Sequence, residues 1–284
     1  MNTIINIIKG VLIGLANIIP GVSGGTIAVT MGVYDIIISA INDIRKNFLK
    51  SVKILMPFVI GAVLGIGALS FVVKYTLDKY PLQTSSLFIG FIIGGVPLLI
   101  KKTKGKESKI IKIILFLIFF ALVVIISFMG GNGKTTTDIT INSLSIIQLL
   151  LIGIVASAAM VIPGISGSLL MMTLGFYGII ISNISNFIRA IIKLDLSLVS
   201  HSFLVLLPFG FGILIGIGLI AKLIAALFKK IPQLTYAAIL GLVLASPIPI
   251  MNKMVSVNFD AMSIIVAIIT FAIGFVIAFK LGEE

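Results

Sequence analysis

Ile19-Pro20-Gly21-Val22-Ser23-Gly24-Gly25-Thr26 breaks an apolar run with residues that cannot continue a helix, and the break recurs as Ile162-Pro163-Gly164-Ile165-Ser166-Gly167-Ser168. The two prolines are 143 residues apart, and at that offset Thr30, Gly32, Tyr34 and Ser39 fall on Thr173, Gly175, Tyr177 and Ser182. Proline removes an amide donor and blocks the i to i−4 ladder, while Gly21, Gly24 and Gly25 admit backbone angles closed to other residues. Each copy therefore reads as a turn between two helical arms, residues 3–19 and 26–41 in the first and 144–162 and 169–183 in the second.

The chain around these turns is 284 residues long, with 59% hydrophobic and 11% charged residues, and its mean hydropathy is +1.28. A water-soluble domain could not cover itself with so little charge, so the chain is expected to be an integral membrane protein. Apolar stretches at 54–75, 81–100, 110–128, 203–221, 233–250 and 262–279 approach the roughly 20 helical residues that cross a hydrocarbon core. They are expected to be helices, because an open strand would leave backbone groups unpaired in lipid. The net charge of +12 lies in short loops beside these stretches, where it orients a membrane protein, so nucleic-acid binding is set aside. The absence of cysteine excludes disulfides, thiolate metal sites and thiol catalysis.

Beyond the turns the repeat continues at an offset of 151, where Pro57, Phe58, Gly61 and Gly65 meet Pro208, Phe209, Gly212 and Gly216. The expected architecture is an all-α inverted-topology repeat, each half a broken, re-entrant hairpin plus three transmembrane helices. The first repeat takes residues 1–143, with hairpin 3–41, three spans and a linker; the second takes 144–284, with hairpin 144–183 and three spans. Loop charge selects this parity. If each hairpin returns to the side it entered, the connections 42–53, 101–112 and 222–232 share one face and all are basic, as the positive-inside bias requires of the cytoplasmic side. Both termini are then cytoplasmic.

The chemistry expected at the turns is anion binding. The helix after each turn points its partial positive end at the turn, with Ser23 or Ser166 as cap, which makes an anion site without a full charge. In inverted-repeat transporters such half-helix ends mark the substrate; the plainer reading is a kink that lets helices pack through Gly and Ser. Candidate binding residues are Ser23, Gly24, Gly25 and Thr26 with Ser166, Gly167 and Ser168. Lys46 and Arg189 coincide at the first offset and either receive the substrate or anchor headgroups. Lys9 and Asp35 lie at matching depth, roughly 15 Å from the tip at 1.5 Å per residue. Both are missing from the second copy, where Ile152 and Gly178 stand. An ion pair between them, or a proton carried by Asp35, would explain this. No carboxylate pair, His cluster or nucleophile with a base is visible, so no catalytic residue, metal or cofactor is expected.

These residues resemble the PopT-type undecaprenyl-phosphate translocases of bacteria, formerly known only as a domain of unknown function. The resemblance rests on the two Pro-Gly-x-Ser-Gly turns, the Gly-x-Tyr after each, and the duplication, and it spans essentially the full chain. It implies return of the lipid carrier undecaprenyl phosphate from the outer to the inner leaflet of the cytoplasmic membrane, for reuse in cell-wall polymer synthesis. The partners would be a polyprenyl phosphate, membrane lipids and a coupling ion, proton or sodium. A secondary transporter for a small soluble anion could use the same half-helix ends but needs an enclosed cavity. A lipid-phosphate enzyme would need a base or metal cluster near the turns. One departure is Ser168, which stands where the first turn has Gly25.

Overall fold

The computed structural model describes residues 3–19, 21–129, 139–252 and 260–283; Pro20, the core of the expected linker and residues 253–259 lie outside them. The first half comprises α1 (Thr3–Ile18), α2 (Gly24–Thr30), α3 (Tyr34–Asn42), α4 (Phe48–Lys79), α5 (Pro81–Gly94), α6 (Val96–Thr103) and α7 (Lys109–Met129). The second comprises α8 (Ser143–Val161), α9 (Gly167–Thr173), α10 (Tyr177–Lys193), α11 (Leu196–Lys230), α12 (Pro232–Ala245), α13 (Pro247–Asn252) and α14 (Ala261–Glu283). The protein is an all-α, multi-pass membrane protein. Each expected span lies within one of these helices or within an adjacent pair. Pro81 and Pro232 sit at the first turns of α5 and α12, where a missing amide costs no ladder bond.

The second arm of each hairpin differs from expectation. It is not one helix but two, α2 and α3 bent by 116°, and α9 and α10 bent by 113°. The cause is local: Gly32 and Gly175 stand in the breaks at φ 71° and 79°, left-handed angles that glycine adopts without steric cost.

Helix direction follows from where small residues let backbones touch. In α1 and α4, an added methyl at Gly10 would meet Phe58 and one at Gly14 would meet Ala62, so contact positions rise together and the helices run parallel. The same holds for α8 and α11, where Gly153 abuts Phe209 and Gly216 abuts Ile154 and Ser157. A helix that starts beside α1 and runs parallel to it must begin on the side where α1 began. Hence α2 and α3 bring the chain back, and the first hairpin is re-entrant; α9 and α10 do the same in the second half.

The remaining long helices exchange partners between halves. α5 lies along α14, with Gly90 against Phe271 and Phe275, while α12 lies along α7, with Gly241 against Phe116 and Phe120. The two halves are thus interlocked. One end of the bundle collects the α3–α4, α6–α7 and α11–α12 connections with the C-terminal turn, where Lys101 pairs with Glu283 at 3.5 Å and the Glu107 amide donates to Gln233 at 3.2 Å. This end carries the basic connections 42–53, 101–112 and 222–232. The central core forms around Ala16, Ile27, Met31, Ile92 and Val243, so the first hairpin is packed between α5 and the α11–α12 corner. Ile113, Leu117 and Ile268 point outward and exposed, as a lipid-facing surface requires.

Candidate functional site

The two hairpin tips meet inside the bundle. The Gly164 amide donates to Thr26 Oγ1 at 2.7 Å, the Tyr34 hydroxyl donates to the Val161 carbonyl at 3.0 Å, and Gly25 faces the carbonyls of Met160 and Val161. Both proline turns also carry a left-handed glycine, Gly21 at φ 92° and Gly164 at φ 83°. Residues 138 positions apart thus become bonded neighbours.

Each tip opens a short helix whose first amides precede the intrahelical ladder. At the second tip Ser166 Oγ lies 3.5 Å from the Leu169 amide and 2.9 Å from Ser168 Oγ. At the first tip the expected cap is not made. Asn17, in the last turn of α1, accepts the Gly24 amide at 3.2 Å instead, and Ser23 Oγ is buried with no hydrogen-bond partner. An orphaned buried hydroxyl costs about 1–3 kcal/mol; among the described residues Ser202, on α11, is the other one.

The pairing expected between Lys9 and Asp35 is replaced by other partners. Lys9, only 4% exposed, donates to the Met31 carbonyl at 3.1 Å, placing its charge at the C-terminal end of α2 where the helix dipole favours a cation. Asp35 accepts from Lys102 Nζ at 3.3 Å and from the Tyr236 hydroxyl at 3.1 Å. Lys102 in turn donates to Tyr236 at 3.0 Å and sits 4.9 Å from its ring centre. The physical reason is the bend at Gly32: a straight arm would have kept Asp35 beside α1, whereas the bent one carries it to α6 and α12.

Asp35 also lines a polar pocket of about 600 Å³ at the basic end, with Asn42, Asp43, Lys46, Lys229 and Tyr236. Lys46 is thus placed at the mouth of a cavity. Arg189 lies exposed on α10, toward the opposite end of the bundle, and is not among the residues lining this pocket. Lys102 and Tyr236 were not singled out by sequence. A signal existed, since Asp35 and Tyr236 both lack their repeat counterparts, Gly178 and Ser85. Among the described residues no group of three or more His, Cys, Asp or Glu gathers as for a metal.

The sequence matches the family described as undecaprenyl phosphate translocase-like over residues 13–199 and 188–282. It is similar to a polyprenyl-phosphate transporter of Staphylococcus aureus, at 33% identity over 98% of this chain and 96% of that protein. It is also similar to a polyprenyl-phosphate transporter of Vibrio cholerae, at 27% identity over 87% of this chain and 77% of the relative. No solved structure gives a significant match.

Proposed function

Because the chain belongs to the undecaprenyl phosphate translocase-like family, we propose that it is a transporter of a polyprenyl phosphate, and that undecaprenyl phosphate is its substrate. Transport runs from the outer to the inner leaflet of the bacterial cytoplasmic membrane, returning the carrier for cell-wall polymer synthesis. The basic end of the bundle, with both termini, faces the cytoplasm, because the positive-inside bias acts on short loops such as 101–112.

The observation that carries this reading is Ser23, whose buried hydroxyl has no partner at the start of α2, beside the turn that holds Gly164. The phosphate docks there against Ser23, Gly24, Gly25 and Thr26 on one side and Ser166, Gly167 and Ser168 on the other. Charge-assisted hydrogen bonds to such amides and hydroxyls are the strong kind. Thr26 now engages Gly164, so the tips part as the phosphate enters, each half moving against the other as inverted repeats do. Lys46 receives the headgroup at the inner mouth and Arg189 gathers it at the outer surface. On this reading Asp35, held by Lys102, carries the coupling proton.

The experiment is leaflet-resolved transport of a polyprenyl phosphate by the purified protein in proteoliposomes, with and without proton or sodium gradients. Acceleration over empty vesicles is expected. Vesicles that translocate the lipid no faster with the protein than without it would overturn the reading.

A further inference from the structure

Two apolar grooves open from the bundle toward lipid, one in each half of the membrane. The first, of about 680 Å³, lies between the C-terminal part of α4, the start of α5 and the start of α14. The second, of about 320 Å³, lies between the C-terminal part of α11, the start of α12 and α7. They are the same groove built twice. At the repeat offset of 151, Val73, Thr84 and Val266 in the first answer Ile224, Thr235 and Leu115 with one residue from each of the three walls. Since α4 ends at the outer side and α11 at the basic side, the grooves sit in opposite leaflets. Their rims are laterally open, with Val72 54% and Leu223 55% exposed.

We infer that these grooves seat the isoprenoid tail, the outer one before the headgroup crosses and the inner one after. This rests on the proposed polyprenyl-phosphate reading. A lipid in the outer leaflet lays its tail through the outer half of the bilayer and a lipid in the inner leaflet through the inner half, so a carrier that holds its substrate at both ends of the cycle needs two seats related by its own inverted symmetry. The inner groove is continuous with the rest of the site. Pro163 of the second tip is part of its wall, as is Tyr34, while the next residue, Asp35, lines the polar pocket with Lys46 and Lys229. An amphiphile with a charged head and an apolar tail matches a polar pocket, where Lys46 and Lys229 stand beside Asp35 and Asp43, adjoining an apolar groove. Mostly apolar walls with few polar groups are the usual composition of a lipid-sized site.

The test uses a polyprenyl phosphate carrying a diazirine in its isoprenoid chain and the full-length protein in proteoliposomes. On illumination, label is expected on residues 72–91 and 223–242, out-competed by unlabelled polyprenyl phosphate and not by phosphatidylglycerol. Filling each groove, with Leu87→Trp or Ala238→Phe, is expected to slow transport at least tenfold, whereas Ile118→Trp on the lipid face of α7 leaves it unchanged. Label scattered over lipid-facing positions, or competed equally by phosphatidylglycerol, would mean that the grooves take any acyl chain and would overturn the inference. Normal transport in both filled variants would overturn it too. Specific groove labelling in a protein that moves no polyprenyl phosphate would keep the grooves and remove the functional reading instead.

Discussion

The hydroxyl of Thr26 accepts the amide of Gly164 at 2.7 Å, so the tip of one re-entrant hairpin is fastened to the tip of the other at the centre of the protein. Both residues are buried, Thr26 completely. Removing the acceptor leaves the Gly164 amide without a partner in an apolar interior. Thr26→Val should therefore destabilise the protein by about 1–3 kcal/mol, and Thr26→Ser should recover most of that. Thermal unfolding in detergent measures both. Equal stability of the valine variant and the parent would show that the tips are not held together by this bond.

The parallel packing of α1 on α4 and of α8 on α11 fixes where each connection emerges. With no native cysteine in the chain, single cysteines report topology directly. Ser108→Cys is expected to be protected from a membrane-impermeant maleimide in intact cells, and Lys79→Cys to be labelled. The opposite pattern would invert the protein; labelling of both would break the re-entrant parity.

Asp35 and Lys102 approach at 3.3 Å with side chains 37% and 30% exposed. Water screens such a pair, so the double-mutant coupling between Asp35→Asn and Lys102→Met should be at most about 1 kcal/mol in stability. The effect on transport is expected to be larger than the effect on stability, because the pair borders the pocket that holds Lys46 and Lys229. If Asp35→Asn leaves both the rate and its dependence on a proton gradient intact, the coupling role is removed. Tyr236→Phe, which deletes one donor to the same carboxylate, is the milder variant and should fall between.

The sequence made the hairpins readable because proline, glycine and serine recur in register, and the constraint they impose is local. The direction of return was readable from loop charge for the same reason. Gly32 and Gly175 were also in register, yet a glycine's sign of φ is set by what the chain must reach on either side. Their bends therefore had to be seen. The partners of Asp35 were out of reach for a different reason. Lys102 is 67 residues away and Tyr236 is 201, so only the interlocking of α6 and α12 with the first hairpin brings them together. Asn17 took the capping role expected of Ser23 because the last turn of α1 packs alongside the tip, a contact no local pattern encodes.

Ser23 separates a binding site from a structural kink more cleanly than the glycines around it. A side chain at Gly24 would collide with the Asn17 amide, and one at Gly167 would crowd Met160, so valine at either position damages packing as well as any phosphate site. Ser23 Oγ has no partner to lose. Ser23→Ala should therefore leave the unfolding temperature unchanged or raise it, since an unsatisfied buried hydroxyl is replaced by a methyl. If that hydroxyl donates to a charged phosphate, the same change removes a bond of about 1.5–3 kcal/mol, and at 1.4 kcal/mol per decade apparent affinity for polyprenyl phosphate should fall roughly tenfold or more. Ser166→Ala should cost less, because Ser166 already shares its hydroxyl with Ser168 and the neighbour can take over. A stable Ser23→Ala protein with unaltered affinity and rate would place the phosphate elsewhere and leave the tips as a hinge.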